Sequence, residues 1–193
     1  MNKSLKGFKT AENLMKAFAG ESQAKNRYTF YAEKAKQEKF IEISQVFLET
    51  AHNEQFHAER FFRFLNNDFK GEQIAITNAG YPIALGSTLE NLEAGADGEY
   101  EEWAELYPSF SDVAMKEGFE EIASVFSYIA EVEKRHYERF KNHSQILVNN
   151  AVFKKANTVY WICLECGHIH EGIEAPQVCP VCSRPQGFFK LYQ

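Results

Sequence analysis

Two short motifs carry the chemistry of this chain. Glu54-Gln-Phe-His57 and Glu133-Lys-Arg-His136 each place a carboxylate and an imidazole three residues apart, on one face of a helix. Those faces are otherwise apolar. One stripe runs Phe40, Ile43, Phe47, Thr50, Glu54, His57, Phe61, Phe64, and the other Phe119, Ile122, Phe126, Ile129, Glu133, His136, Phe140. The alternating steps of three and four are the register of a left-handed helical bundle. Two further stripes carry carboxylates of their own: Leu14, Ala17, Glu21, Ala24, Tyr28, Tyr31, Ala35, and Leu92, Gly95, Glu99, Glu102, Leu106. An unpaired buried carboxylate costs several kcal/mol, so five of them with two imidazoles on four converging stripes need cations between them. A Glu from each of two helices and a Glu-x-x-His from each of the other two is the ligand pattern of ferritin-like dinuclear bundles. Hard oxygen donors with one imidazole per metal favour iron or manganese over copper or zinc. Glu102, one turn beyond Glu99, is a seventh candidate ligand, able to exchange with another when the metal charge changes or to orient one from behind. Glu49 and His52 repeat the Glu-x-x-His spacing but miss the seam and are expected on the surface.

The second constellation is Cys163, Cys166, Cys179 and Cys182, spaced C-x2-C-x12-C-x2-C, with no other cysteine in the chain. Two such knuckles build a tetrahedral four-sulfur site for iron or zinc, and the spacing does not choose between them. Tyr160, Trp161, Phe188 and Phe189 are placed to wrap it, and His168 and His170 are surplus to a four-thiolate set.

The elements needed to hold these residues follow from the periodicity. Helices are expected over residues 10–37, with Thr10 as N-cap, 40–66, 87 to just before Pro108, with Ser87 as N-cap, and 110–143. A Gly/Pro-punctuated crossover covers 67–86. The fold class is thus an all-α, ferritin-like four-helix bundle (residues 1–148), joined by a linker (149–157) to a small β/metal domain (158–193), which the resemblance given next implies is rubredoxin-like. The halves repeat: Glu54 to Glu133 and His57 to His136 are 79 positions apart, and Glu21 to Glu99 is 78. At 193 residues, 45% hydrophobic and net charge −6, the chain has neither a basic cluster for nucleic acid nor an apolar run for a membrane. The start, MNKSLKGFKT, lacks the apolar core of a secretion signal, and a cytoplasmic protein is expected.

Taken together, TAENLMKAFAGESQAKNRYTFYA, FLETAHNEQFHAERF, NLEAGADGEYEEWAELYPSF, IAEVEKRHYERF and the paired knuckles YWICLECGHIHEG and CPVCSRPQGFF resemble rubrerythrin over essentially the whole chain. The resemblance implies a non-haem di-iron peroxidase that reduces hydrogen peroxide to water in oxidative-stress defence. It implies two irons held by Glu21, Glu54, Glu99, Glu102, Glu133, His57 and His136, one iron moving between Glu102 and His57 with redox state. It also implies tyrosines hydrogen-bonded to ligands at Tyr28 and Tyr107, and one iron in the four-cysteine site. Its further implications are a homodimer in which one subunit's rubredoxin-type iron serves the other's di-iron site, and an external donor, an NAD(P)H-linked reductase or a rubredoxin. Two positions depart from the family pattern: Ser183 follows the last cysteine where glycine is common, and Phe8 stands where a smaller polar residue is expected. The rival reading of the same residues is a ferritin-like ferroxidase or iron-handling protein with a structural zinc ribbon.

Overall fold

The computed structural model describes residues 3–192; the expected domain ends at Met1 and Gln193 lie outside them. Helices α1 (Lys9–Gln37) and α2 (Ile41–Phe69) form one hairpin. The second hairpin is α3 (Thr88–Glu101), a five-residue π turn (Glu102–Leu106) and α4 (Tyr107–Lys116), followed by α5 (Glu120–Val148). Three antiparallel strands close the chain in the order β2 (Ile169–Glu174), β1 (Lys154–Cys163), β3 (Phe189–Leu191).

The helix ends show why the rods stop where they do. Gly118, at φ +76°, ends α4: its N–H bonds to the Met115 carbonyl (3.0 Å) and the Phe119 N–H to that of Ala114 (2.8 Å). Lys39 (φ 67°) and Asn150 (φ 52°) end α1 and α5 with the same pair of bonds. Ser87 caps α3 with a reciprocal Glu90 box, as expected. Thr10 does not cap α1, which begins at Lys9. Instead the Glu117 carboxylate, carried by the turn before α5, accepts from the N–H groups of Lys9 (3.1 Å) and Thr10 (2.9 Å). Phe8 precedes that end because its ring meets Phe119 edge-on, centroids 5.3 Å apart.

The expected stop before Pro108 is overturned. Proline removes one N–H and crowds the carbonyl four residues back. Here the π turn widens the helix just ahead of it, the Tyr107 N–H reaching the Glu102 carbonyl five residues away. The rod therefore runs on to Lys116, and the last bundle helix begins at Glu120 rather than near residue 110 and ends at Val148 rather than near 143.

Residues 70–87 cross over as a strap along α1. Thr77 donates to Glu12 (3.0 Å), Tyr81 to the Lys16 carbonyl (3.2 Å) and Tyr31 to the Ala84 carbonyl (2.9 Å), and the Thr88 N–H ends on Glu38 (2.9 Å). Those anchors run from one end of α1 to the other, so α2 and α3 start at the same end of the bundle. Two apolar clusters fill it. Leu14, Phe61 and Phe126 belong to one, Tyr28, Phe47 and Phe140 to the other, and the polar positions of the four stripes lie in sequence between them.

Strand β1 begins inside the segment expected as linker. The small sheet rests on the α1–α2 turn, where Phe153 stacks on Phe40 (centroids 6.2 Å, 10° between planes). Gly187 faces the same turn, and a Cβ there would overlap the Lys39 carbonyl oxygen. Replacing Gly118 by Ala puts a Cβ into a left-handed turn. A loss of about 1 kcal/mol is expected, read as a lower urea midpoint with an unchanged slope.

Candidate metal centres

Between the two apolar clusters, four carboxylates are closed off from solvent: Glu21 and Glu99 on α1 and α3, Glu54 and Glu133 on α2 and α5. The ligand-type atoms of Glu21, Glu54, His57 and Glu133 lie within 4.8 Å of one another, and so do those of Glu54, Glu99, Glu133 and His136. The two groups share Glu54 and Glu133. Each has its own terminal carboxylate and its own imidazole, so two cations side by side would be bridged by the shared pair.

Short distances without hydrogen-bonding directions support that reading. His57 Nδ1 is 2.8 Å from Glu133 and 2.9 Å from Glu54, and His136 Nδ1 is 2.7 Å from Glu133. Yet both imidazole Nδ1 atoms, both oxygens of Glu54 and of Glu133, and one oxygen each of Glu21 and Glu99 are buried without a hydrogen-bond partner. Buried polar atoms are normally satisfied. Lone pairs converging on two common points fit two metal ions of the hard, oxygen-preferring kind.

Groups behind the donors orient them. Tyr28 donates to Glu99 and Tyr107 to Glu21, each tyrosine reaching the carboxylate of the other half of the repeat. Asn53 Oδ1 lies 3.2 Å from His136 Nε2, which holds that ring with Nδ1 towards the carboxylates. Asn53 is off the stripes and carries no signal in a single sequence. The His57 side chain is 13% exposed against 5% for His136, so the two imidazoles are not equivalent.

Six of the seven candidates thus meet; Glu102 does not join either group. It opens the π turn, half-buried at the edge of the cluster, close enough for its charge to act on Glu21. The signal for that turn was in the repeat. Glu21 to Tyr28 is seven residues, but Glu99 to Tyr107 is eight. The change of offset from 78 to 79 is a one-residue insertion, and the π turn absorbs it. Glu49 and His52 are exposed, as their register requires.

Charge sets the protonation of the metal-free cluster. Burial, then the charge of Glu54, pushes Glu99 up to about 8. Burial and Glu133 raise Glu21, and burial and Glu99 raise Glu102. Burial opposes the imidazolium, yet Glu133 outweighs it and lifts His57 to about 10 and His136 to about 12. Burial likewise works against ionised Glu133, but the two facing imidazoliums hold it down to about 2.

The second centre is built by two matching turns. The Gly167 N–H bonds to the Cys163 carbonyl and the Ser183 N–H to that of Cys179, both at 2.9 Å. Cys163 and Cys182 sulfurs are 3.7 Å apart, and Cys166 and Cys179 sulfurs 3.6 Å. A tetrahedron with metal–sulfur bonds of about 2.3 Å has edges of roughly 3.8 Å. Ser183 takes φ 60° where Gly167 takes 75°, so the missing glycine is a strained position. Burial opposes ionisation of Cys179, but the Cys182 and Val181 N–H groups bring its thiol down to about 7. Trp161 and Phe189 are fully buried beside the sulfurs, Phe188 partly so, and Tyr160 is half exposed. Neither His168 nor His170 joins the group.

The family model described as "Rubrerythrin" matches residues 12–144, and "Rubrerythrin, rubredoxin-like domain" matches 161–190. The chain belongs to the rubrerythrin family. It is 53% identical to rubrerythrin-1 of Clostridium acetobutylicum (98% of this chain, 97% of the relative) and 51% identical to rubrerythrin of Clostridium perfringens (99% and 98%). Among solved structures it is similar to partially reduced nigerythrin, with a TM-score of 0.65, 29% identity and 98% and 92% of the two chains covered. The chain therefore carries a ferritin-like di-iron carboxylate centre and a rubredoxin-like four-cysteine centre, and the zinc-ribbon rival is not favoured. No described helix is long and apolar enough to cross a membrane.

A pH dependence follows. Glu99, with its folded value raised, adds stability to the metal-free chain in full below the ordinary 4.5 and loses it as pH rises through about 8; Glu133, lowered, loses its share as pH falls towards about 2. Ligation needs deprotonated donors, so ferrous binding displaces the protons on Glu99, His57 and His136. Titrating metal-free protein with ferrous ion at about pH 7 in weak buffer is expected to release protons, with affinity rising from about pH 6 to 8.

Proposed function

We propose that this chain is a non-haem di-iron peroxidase that reduces hydrogen peroxide to two waters, fed with electrons through an iron in the four-cysteine site. The observation carrying this reading is the pair of carboxylate–imidazole groups sharing Glu54 and Glu133, in one chain with a thiolate centre. The balance is H2O2 plus two electrons and two protons giving two waters. Two ferrous ions bound there would supply both electrons and the Lewis acidity that O–O cleavage needs.

The chain's own residues do the remainder. Glu21, Glu99, His57 and His136 would hold the metals from the outside, and Glu54 and Glu133, shared by both groups, would serve both. Tyr28 and Tyr107 fix the carboxylates they bond. Glu102 and His57, the less buried of the two imidazoles, both act near Glu21, so they could exchange at one position. Glu102, its carboxyl raised by burial and by Glu99, is also suited to pass a proton inward. Its replacement by Gln is expected to slow peroxide turnover.

The electron path supports a homodimer. The small sheet sits at the α1–α2 turn, and Glu54 is fourteen residues along α2 from Phe40, about 21 Å of helix rise. In the proposed homodimer a partner's four-cysteine site serves this di-iron site. Its donor is an external reductase, NAD(P)H-linked, or a rubredoxin. Cytoplasmic oxidative-stress defence is the setting that fits.

Cys163→Ser separates the two centres. The variant is expected to lose the red thiolate-iron colour and to oxidise in one turnover with peroxide as the wild type does, while steady-state consumption with a reductase stops. Surviving steady-state rates would sink the electron route, and a reduced wild type inert to peroxide would sink the activity.

A further inference from the structure

A cavity of about 180 Å³ opens between α1 and α3 beneath the strap. That is room for several water-sized molecules. Gly20, Gly98, Arg27, Tyr81, Glu102 and Tyr107 are among its walls. Two of these tie it to the carboxylate cluster: Tyr107 donates to Glu21, and Glu102 acts on Glu21 by its charge. By contrast, the cleft at Lys3, Arg60 and Phe119 and the one at Met15, Phe62 and Phe69 contain none of the carboxylates.

Three features mark the cavity as a passage. A Cβ at Gly20 would stand 3.6 Å from Glu102 Oε1 and 3.6 Å from the Tyr81 ring, so the strap, the α1 backbone and the unplaced carboxylate meet there. Gly98, its counterpart 78 positions on, leaves open space: a Cβ there meets nothing within 4 Å. Arg27 Nη1 is buried with no hydrogen-bond partner, and Arg27 and Glu102 line the same cavity. Guanidinium is a donor only, so its unpartnered N–H calls for an acceptor. A small neutral molecule with O–H groups and lone pairs can accept from that N–H and donate within the cavity.

We propose that this port is where hydrogen peroxide enters, with Arg27 as the residue that positions it against Glu102. The proposal rests on the peroxidase reading. The two glycines keep the passage open, and the strap, held by Tyr81, roofs it.

The test uses iron-loaded, full-length protein. In Gly98→Leu the new side chain occupies the port, while loss of a helical glycine favours the helix; Gly98→Ala is the mild control. Iron per chain and the thiolate-iron spectrum are expected to match the wild type. The second-order rate of the reduced protein with peroxide is expected to fall roughly tenfold in Gly98→Leu, and less in Gly98→Ala. The association rate of azide, a small ligand that needs no turnover, should fall in parallel. Arg27→Gln is expected to raise KM for peroxide with kcat little changed. A loaded Gly98→Leu that takes up azide and peroxide at wild-type rates overturns the port. If the wild type consumes no peroxide, the peroxide assignment is overturned, and the azide comparison alone decides the port.

Discussion

Everything in the bundle answers to the repulsion of buried carboxylates. Glu21, Glu54, Glu99 and Glu133 are sealed from water within reach of one another, and no arrangement of protein atoms alone satisfies them. In the metal-free chain the imidazoles of His57 and His136 offset part of that charge by holding protons, and Glu21 and Glu99 offset more by keeping theirs. Those protons occupy the places that cations take. The polar layer thus favours metal in proportion to how thoroughly it excludes water, and the apolar clusters on either side set that exclusion.

The duplicated architecture then divides the labour. The repeat gives two nearly equal half-sites, each tyrosine holding the other half's carboxylate. Catalysis of a stepwise reduction benefits from metals that are not equivalent, and the departures from symmetry all act in that direction. Asn53 steadies His136, His57 is left more open, and one extra residue in the third rod is taken up in the π turn that Glu102 opens. That insertion is also what carries the helix past Pro108.

The four-cysteine centre is built by the same economy of repetition, two turns with matching N–H bonds around one tetrahedron. Its seat against the α1–α2 turn rests on the close approach of Gly187 and on Phe153 over Phe40. The strap serves two ends: it carries the chain from one end of the bundle to the other, and with Tyr81 it covers the cavity that Glu102 lines.

The local and periodic part of this protein was legible in its residues. Steps of three and four put Glu54, His57, Glu133 and His136 on buried seams, rejected Glu49 and His52, and placed Ser87 as a cap, because those outcomes depend on helix geometry alone. The paired knuckles were legible for the same reason. Tertiary structure decided what depends on neighbours distant in the chain: Glu117 capping α1 in place of Thr10, Asn53 behind His136, Tyr28 and Tyr107 crossing between halves, Arg27 unpaired beneath the strap. It also decided Pro108, which local rules read as a stop. A widened turn is affordable only where packing of the whole rod outweighs the strain of one displaced hydrogen bond, and no window of sequence contains that balance.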